Sequence, residues 1–139
     1  MLKDQKSIEI DLNSDKIVIL DRYVPSTLAF QCAKGFDFHK GSSIINVMNI
    51  FIPNLTILLD LDPEIAQQRK RLQKNELDRH EVDLILQKKV REQYHKLYKS
   101  NIFSQKWILL DSNKEMGLFR KEIINILELL IKEKESKYI

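Results

Sequence analysis

The sequence predicts an α/β domain built on a parallel sheet, and two patterns carry that expectation. The first is a set of short, continuous apolar runs, Ile17–Leu20, Leu55–Leu61 and Trp107–Leu110, each bounded by polar residues. Unbroken β-branched and leucine-rich runs of this length mark strands buried on both faces. The second is that the stretches between the runs have helical spacing, and strands alternating with helices form parallel sheets with helices packed on their faces. A chain of 139 residues can bury a core of its own, so residues 1–139 read as a single domain.

The first strand, Ile-Val-Ile-Leu, follows Asn13-Ser14-Asp15 and stops at Asp21. A helical stripe of Ile44, Val47, Met48 and Phe51 follows Ser42-Ser43. Pro53-Asn54 introduces the second strand. A helix begins at Asp62-Pro63-Glu64, because Asp caps a helix and Pro suits its first turn. Leu86, Val90, Tyr94 and Leu97 form the next stripe, and Trp107–Leu110 is the third strand. Phe119, Ile123, Leu127 and Leu130 define a terminal amphipathic helix. Ligands of parallel sheets sit beyond the carboxyl ends of strands, which directs attention to Asp21-Arg22, to Asp60 through Glu64 and to Asp111-Ser112.

Composition narrows the function classes. The net charge of +3 is small, and the basic residues are interspersed with acids, so no nucleic-acid partner is expected. One cysteine, Cys32, excludes an internal disulfide and fits a reducing cytoplasm. No run is long and apolar enough for a membrane span, and residues 1–11 lack the apolar core of a signal peptide. His39, His80 and His95 have no metal-ligand grouping and read as surface residues, so no metal site within the protein is expected. Cys32 reads as an inert thiol.

Two constellations carry chemistry. Asp21-Arg22-Tyr23-Val24-Pro25-Ser26-Thr27-Leu28-Ala29-Phe30-Gln31 puts a carboxylate and a guanidinium at the ligand edge of the sheet. The planar fork of Arg suits a phosphate, and Asp can position a hydroxyl or a hydrated Mg²⁺. Ser26 and Gln31 offer polar contacts to a sugar or base, and Phe30 a ring face. Taken alone, the Asp-Arg pair reads first as a structural salt bridge at a strand end. The second constellation is Leu59 to Glu64 followed by Arg69, Arg71 and Leu77-Asp78-Arg79-His80-Glu81. Phosphoryl transfer needs cations against the developing charge, and a closing arginine loop supplies them while excluding water. Taken alone, this segment reads first as a solvated, charge-rich helical hairpin.

In combination the two resemble the thymidylate kinase family. The first run is similar to that family's pattern Asp-Arg-Tyr-x-x-Ser-x-x-Ala-Tyr-Gln-Gly, with Phe30 in place of Tyr and Cys32 in place of Gly. Arg69-Lys70-Arg71 and Glu76-Leu77-Asp78-Arg79-His80-Glu81 resemble its lid, and Val90-Arg91 with Tyr94 resembles the helix after the lid. The resemblance covers about residues 16–131, with the lid at about 69–81. It implies a P-loop nucleoside-monophosphate-kinase-like fold and transfer of phosphoryl from ATP to dTMP with Mg²⁺. It further implies that Arg22 holds the acceptor phosphate, that Ser26, Phe30 and Gln31 line the nucleoside pocket, and that Asp21 sits near the metal and the transferring phosphoryl. On the ATP side it implies Arg69, the lid arginine Arg79 and the Asp111-Ser112 loop. A complete enzyme of this kind is expected to be a homodimer.

No Gly-x-x-x-x-Gly-Lys-Ser/Thr occurs, and none of Gly35, Gly41 and Gly117 precedes a Lys-Ser or Lys-Thr pair. Such a loop holds the triphosphate through backbone N–H groups, a Lys and a Mg²⁺-binding hydroxyl. The expectation is therefore an incomplete kinase fold without its first two strands and phosphate loop, inactive by itself. Two alternatives stand beside it: a deoxynucleoside kinase relative, against which Asp21-Arg22-Tyr23 and Gln31 argue, and a non-catalytic nucleotide-binding or assembly module on the same fold.

Overall fold

The computed structural model describes residues 2–14, 16–73 and 84–135. The elements are α1 (Leu2–Leu12), α2 (Val24–Ala33), α3 (Phe38–Val47), β1 (Thr56–Asp60), α4 (Pro63–Gln73), α5 (Leu84–Ser100), β2 (Trp107–Asp111) and α6 (Met116–Glu135). β1 and β2 pair in parallel, with Thr56 opposite Trp107 and Asp60 opposite Asp111. The pairing continues one step past β1, where Ser112 N donates to Asp60 O at 2.8 Å. The crossover between these strands runs through α4 and α5, as a parallel connection requires.

Local chemistry explains the helix ends. Pro25 lies in the first turn of α2, where its missing N–H is no loss. The helix closes in a Schellman arrangement: Phe36 N donates to Gln31 O, Gly35 N donates to Cys32 O, and Gly35 takes φ 102°. Asp37 caps α3 by accepting from Lys40 N at 2.7 Å. That bond to the backbone holds the Asp37 carboxyl below its ordinary range. Asn49 (φ 47°) and Asn101 (φ 49°) supply left-handed residues just past α3 and α5, a conformation asparagine tolerates. At α4, Asp62 Oδ1 accepts from Glu64 N at 2.8 Å beside Pro63.

The core lies between α2, α5 and the sheet. Val24, Leu28, Ala29, Ile45, Leu97, Phe103 and Trp107 form one buried cluster, and α2 packs chiefly on α5 and then on α3. Trp107 is buried at the start of β2, with its indole N–H donating to Ile102 O at 3.0 Å. Of the expected stripe Leu86, Val90, Tyr94 and Leu97, Val90 and Leu97 are buried, Tyr94 packs half-buried against the cluster and Leu86 is half-buried.

Three sequence expectations change. Ile17–Leu20 is not a strand: it pairs with nothing among the described residues, and Ile17 and Ile19 are exposed. Among the described residues the sheet therefore has two strands rather than three, because an apolar run becomes a strand only where a partner lies alongside it. The N-terminus forms the helix α1, which the sequence reading left unassigned. Finally, α3 begins at Phe38 and ends at Val47, so Phe51 falls outside the helix whose stripe it seemed to extend.

Candidate acceptor pocket and strand-end cluster

The run from Leu20 to Gln31 folds around an open depression of about 540 Å³ lined by Ile8, Leu20, Arg22, Tyr23, Ser26, Thr27, Phe30 and Gln31. Arg22, Ser26, Phe30 and Gln31, all singled out as acceptor-binding residues, thus share one cavity. The helical turn explains this, since residues 23, 26, 27, 30 and 31 follow the i, i+3, i+4 spacing of one helix face. Arg22 sits at the kink before that helix with φ 60°, and its guanidinium lies over the Phe30 ring, 5.6 Å from the centroid. The structural salt bridge between Asp21 and Arg22 is not formed. Asp21 is exposed and is not among the residues that line the depression.

Ser26 has a second task. It is buried, and its Oγ accepts from the Tyr94 hydroxyl at 2.7 Å. The floor of the depression is thereby tied to α5. Behind it, burial pushes the Cys32 thiol up, with the nearby Lys96 opposing this, which suits an unreactive cysteine.

A second cluster forms at the carboxyl end of β1. Arg91 Nε donates to Asp60 Oδ1 at 2.8 Å, Nη2 to Oδ2 at 2.8 Å, and Nη1 to Asp62 Oδ2 at 3.1 Å. His95 Nε2 lies 3.0 Å from Asp60 Oδ1, and Lys88 pairs with Glu64. Lys88, Arg91 and His95, at helical spacing on α5, therefore meet three alternating acids running from β1 into α4. The hydrogen bonds from Arg91 are the main reason the Asp60 carboxyl is lowered to about 2, helped by His95 and opposed by burial. Arg91 is raised in turn, chiefly by its bonds to Asp60. The sequence reading missed this cluster and took His95 for a surface residue. The signal was available in the i, i+3, i+7 spacing of Lys88, Arg91 and His95, but nothing local says which strand end such a stripe will face.

On the side expected to meet ATP, Arg69 of α4 reaches the loop after β2. Its Nη1 donates to Ser112 O at 3.0 Å and its Nη2 to Asn113 Oδ1 at 3.0 Å. Asp111 Oδ1 accepts from Asn113 N at 2.8 Å and shapes that turn. Arg69, Asp111 and Ser112, named separately from sequence, are thus neighbours. Arg79 and most of the lid lie outside the described residues. Among the described residues no three His, Cys, Asp or Glu side chains group as a metal site, and no helix is long and apolar enough to cross a membrane.

Comparison with known proteins places the sequence in a family. The family model described as thymidylate kinase matches residues 2–123. The chain is 39% identical over 126 residues to a thymidylate kinase of Aster yellows witches'-broom phytoplasma, covering 88% of this chain and 58% of the relative. It is 32% identical over 120 residues to one from Thermoanaerobacter sp., covering 84% and 57%. It is 31% identical over 138 residues to one from Mycoplasmoides gallisepticum, covering 94% and 62%. The chain spans about three fifths of the length of these relatives. With the family model running through both the Asp21–Gln31 depression and the strand-end cluster, the chain belongs to the thymidylate kinase family of phosphotransferases.

Proposed function

We propose that this chain forms the acceptor-binding and lid-bearing part of a dTMP kinase, in which ATP with Mg²⁺ phosphorylates dTMP to dTDP. One observation carries the reading: Arg22, Ser26, Phe30 and Gln31 line one depression. Arg22 would grip the monophosphate through its fork. The Phe30 ring, already under the guanidinium, offers a face for the base, and Gln31 offers an amide for its polar edge. Mg²⁺ would enter with the ATP phosphates and be met through water by Asp21, the carboxylate beside Arg22. Arg69 would act indirectly, by holding the loop at Ser112 and Asn113 against which the adenine rests. Arg79 would stabilise the transferring phosphoryl. The 139 residues contain no phosphate loop, so turnover would require one from polypeptide beyond them. Dimer formation and a cytoplasmic setting belong to this same proposal.

Calorimetric titration of the chain with dTMP tests the acceptor half directly. Saturable binding that Arg22→Ala weakens by tenfold or more supports the reading. Binding unaffected by Arg22→Ala overturns it. The non-catalytic module would be favoured if a version supplied with a phosphate loop folded and bound dTMP yet produced no dTDP.

A further inference from the structure

We infer that Gln5 is a positioning residue for the acceptor pocket, and that it leaves the Tyr23 hydroxyl proton free to be donated to the bound nucleotide. This rests on the acceptor reading above. Gln5 lies on α1, outside the motif that forms the depression, and its amide is held at both ends. Phe51 N donates to Oε1 at 3.2 Å, and Nε2 donates to the Tyr23 hydroxyl at 2.7 Å. The Phe51 N–H needs an acceptor, so the amide oxygen must face it and the amide NH₂ must face Tyr23. The Tyr23 oxygen is therefore an acceptor in this bond, and its own proton is not used by it. Among the described residues that proton has no acceptor. Tyr23 itself lines the depression, between Arg22 and Ser26.

A half-buried phenol with its oxygen already occupied offers one hydrogen bond outward. A nucleoside monophosphate, rich in phosphate, sugar and carbonyl oxygens, is the ligand class that supplies the missing acceptor. Gln5 also ties α1 to the Tyr23 kink and to the segment that leads into β1, so the orientation of this donor is fixed by three parts of the chain. Ile8, one turn further along α1, is buried in the same wall.

The polarity of the Gln5–Tyr23 bond provides the test. A glutamate at position 5 can still accept from Phe51 N, but a carboxylate only accepts, so Tyr23 must turn its proton toward it and away from the ligand. Gln5→Glu therefore keeps the tether and reverses the donor. Titrated with dTMP, the full chain carrying Tyr23→Phe should bind about tenfold more weakly, the value of one hydrogen bond to a charged or strongly polar acceptor. Gln5→Glu should show a comparable loss. Adding Gln5→Glu to Tyr23→Phe should cost clearly less than it does alone, because the donor has already gone. Equal cost in both backgrounds would mean that only the added charge matters, and would overturn the inference. So would unchanged affinity of Tyr23→Phe, a change of a single oxygen that remains informative even if Gln5→Glu fails to fold. An unaltered chain that binds no dTMP overturns the acceptor reading and this inference together. An unaltered chain that binds, with neutral variants, overturns the inference alone.

Discussion

Arg91 holds Asp60 by two bonds of equal length, Nε to Oδ1 and Nη2 to Oδ2, each 2.8 Å. The third guanidinium nitrogen goes to Asp62. One side chain of α5 thus fixes both the end of β1 and the start of α4, the two places from which the strand-end groups project. Planar bidentate pairing of this kind is geometrically specific in a way that a lysine could not reproduce.

The pair gives stability a defined acid limit. An aspartate ordinarily titrates near 4, whereas Asp60 is held at about 2. Its folded value is depressed, so its contribution is complete above about pH 4 and is lost as pH falls toward 2. Discounted for solvent screening of the partly exposed Arg91, the contribution is about 1–2 kcal/mol. Urea unfolding across that window should show the loss. Asp60→Asn should lower stability by about 1–3 kcal/mol at pH 7 and flatten the acid limb. An unchanged slope between pH 4 and pH 2 would show that other carboxylates govern it.

Ser26 and Tyr94 should behave as one unit. Ser26→Ala strands the Tyr94 hydroxyl and Tyr94→Phe strands the buried Ser26 hydroxyl, each at about 1–3 kcal/mol. The double variant should cost clearly less than the sum of the two, because no orphaned hydroxyl remains. Chemical denaturation of the four proteins measures this, and strict additivity would count against the 2.7 Å bond.

Much of the fold was legible because it rests on local pattern. The strands at 56–60 and 107–111, the Asp62-Pro63 helix start and the Leu97 stripe are all set by residues within a few positions of one another. Ile17–Leu20 was misread because an apolar run states a preference for burial, and pairing depends on a neighbour elsewhere in the chain. The clustering of Arg22, Ser26, Phe30 and Gln31 around one depression follows from the local spacing of the motif. The roles of Gln5 and His95 could not, since each depends on a contact spanning eighteen residues or more.

On the catalytic side, the 139-residue protein alone should fall far short of the usual kinase range of about 1–100 s⁻¹. Its sequence carries no Gly-x-x-x-x-Gly-Lys-Ser/Thr with which to cradle a triphosphate. Fused behind a phosphate-loop segment from a related enzyme, it should gain ATP-dependent formation of dTDP. In that fusion Arg79→Ala should lower kcat more than it raises the dTMP Kd, as expected for a group acting on the transition state. The opposite split would assign Arg79 to the acceptor.

Arg22 stands at φ 60°, in the left-handed region where a residue with a Cβ is disfavoured by roughly 1–2 kcal/mol. Glycine would rest there without strain, and asparagine nearly so, as at positions 49 and 101. A position serving only the chain's path would have no use for arginine. Arg22→Gly should therefore unfold at a higher urea concentration than the parent while losing its grip on dTMP. Arg22→Ala, still strained, should lose the grip without that gain. The kink before α2 is a place where durability and usefulness pull apart, and this sequence has settled on the less durable choice.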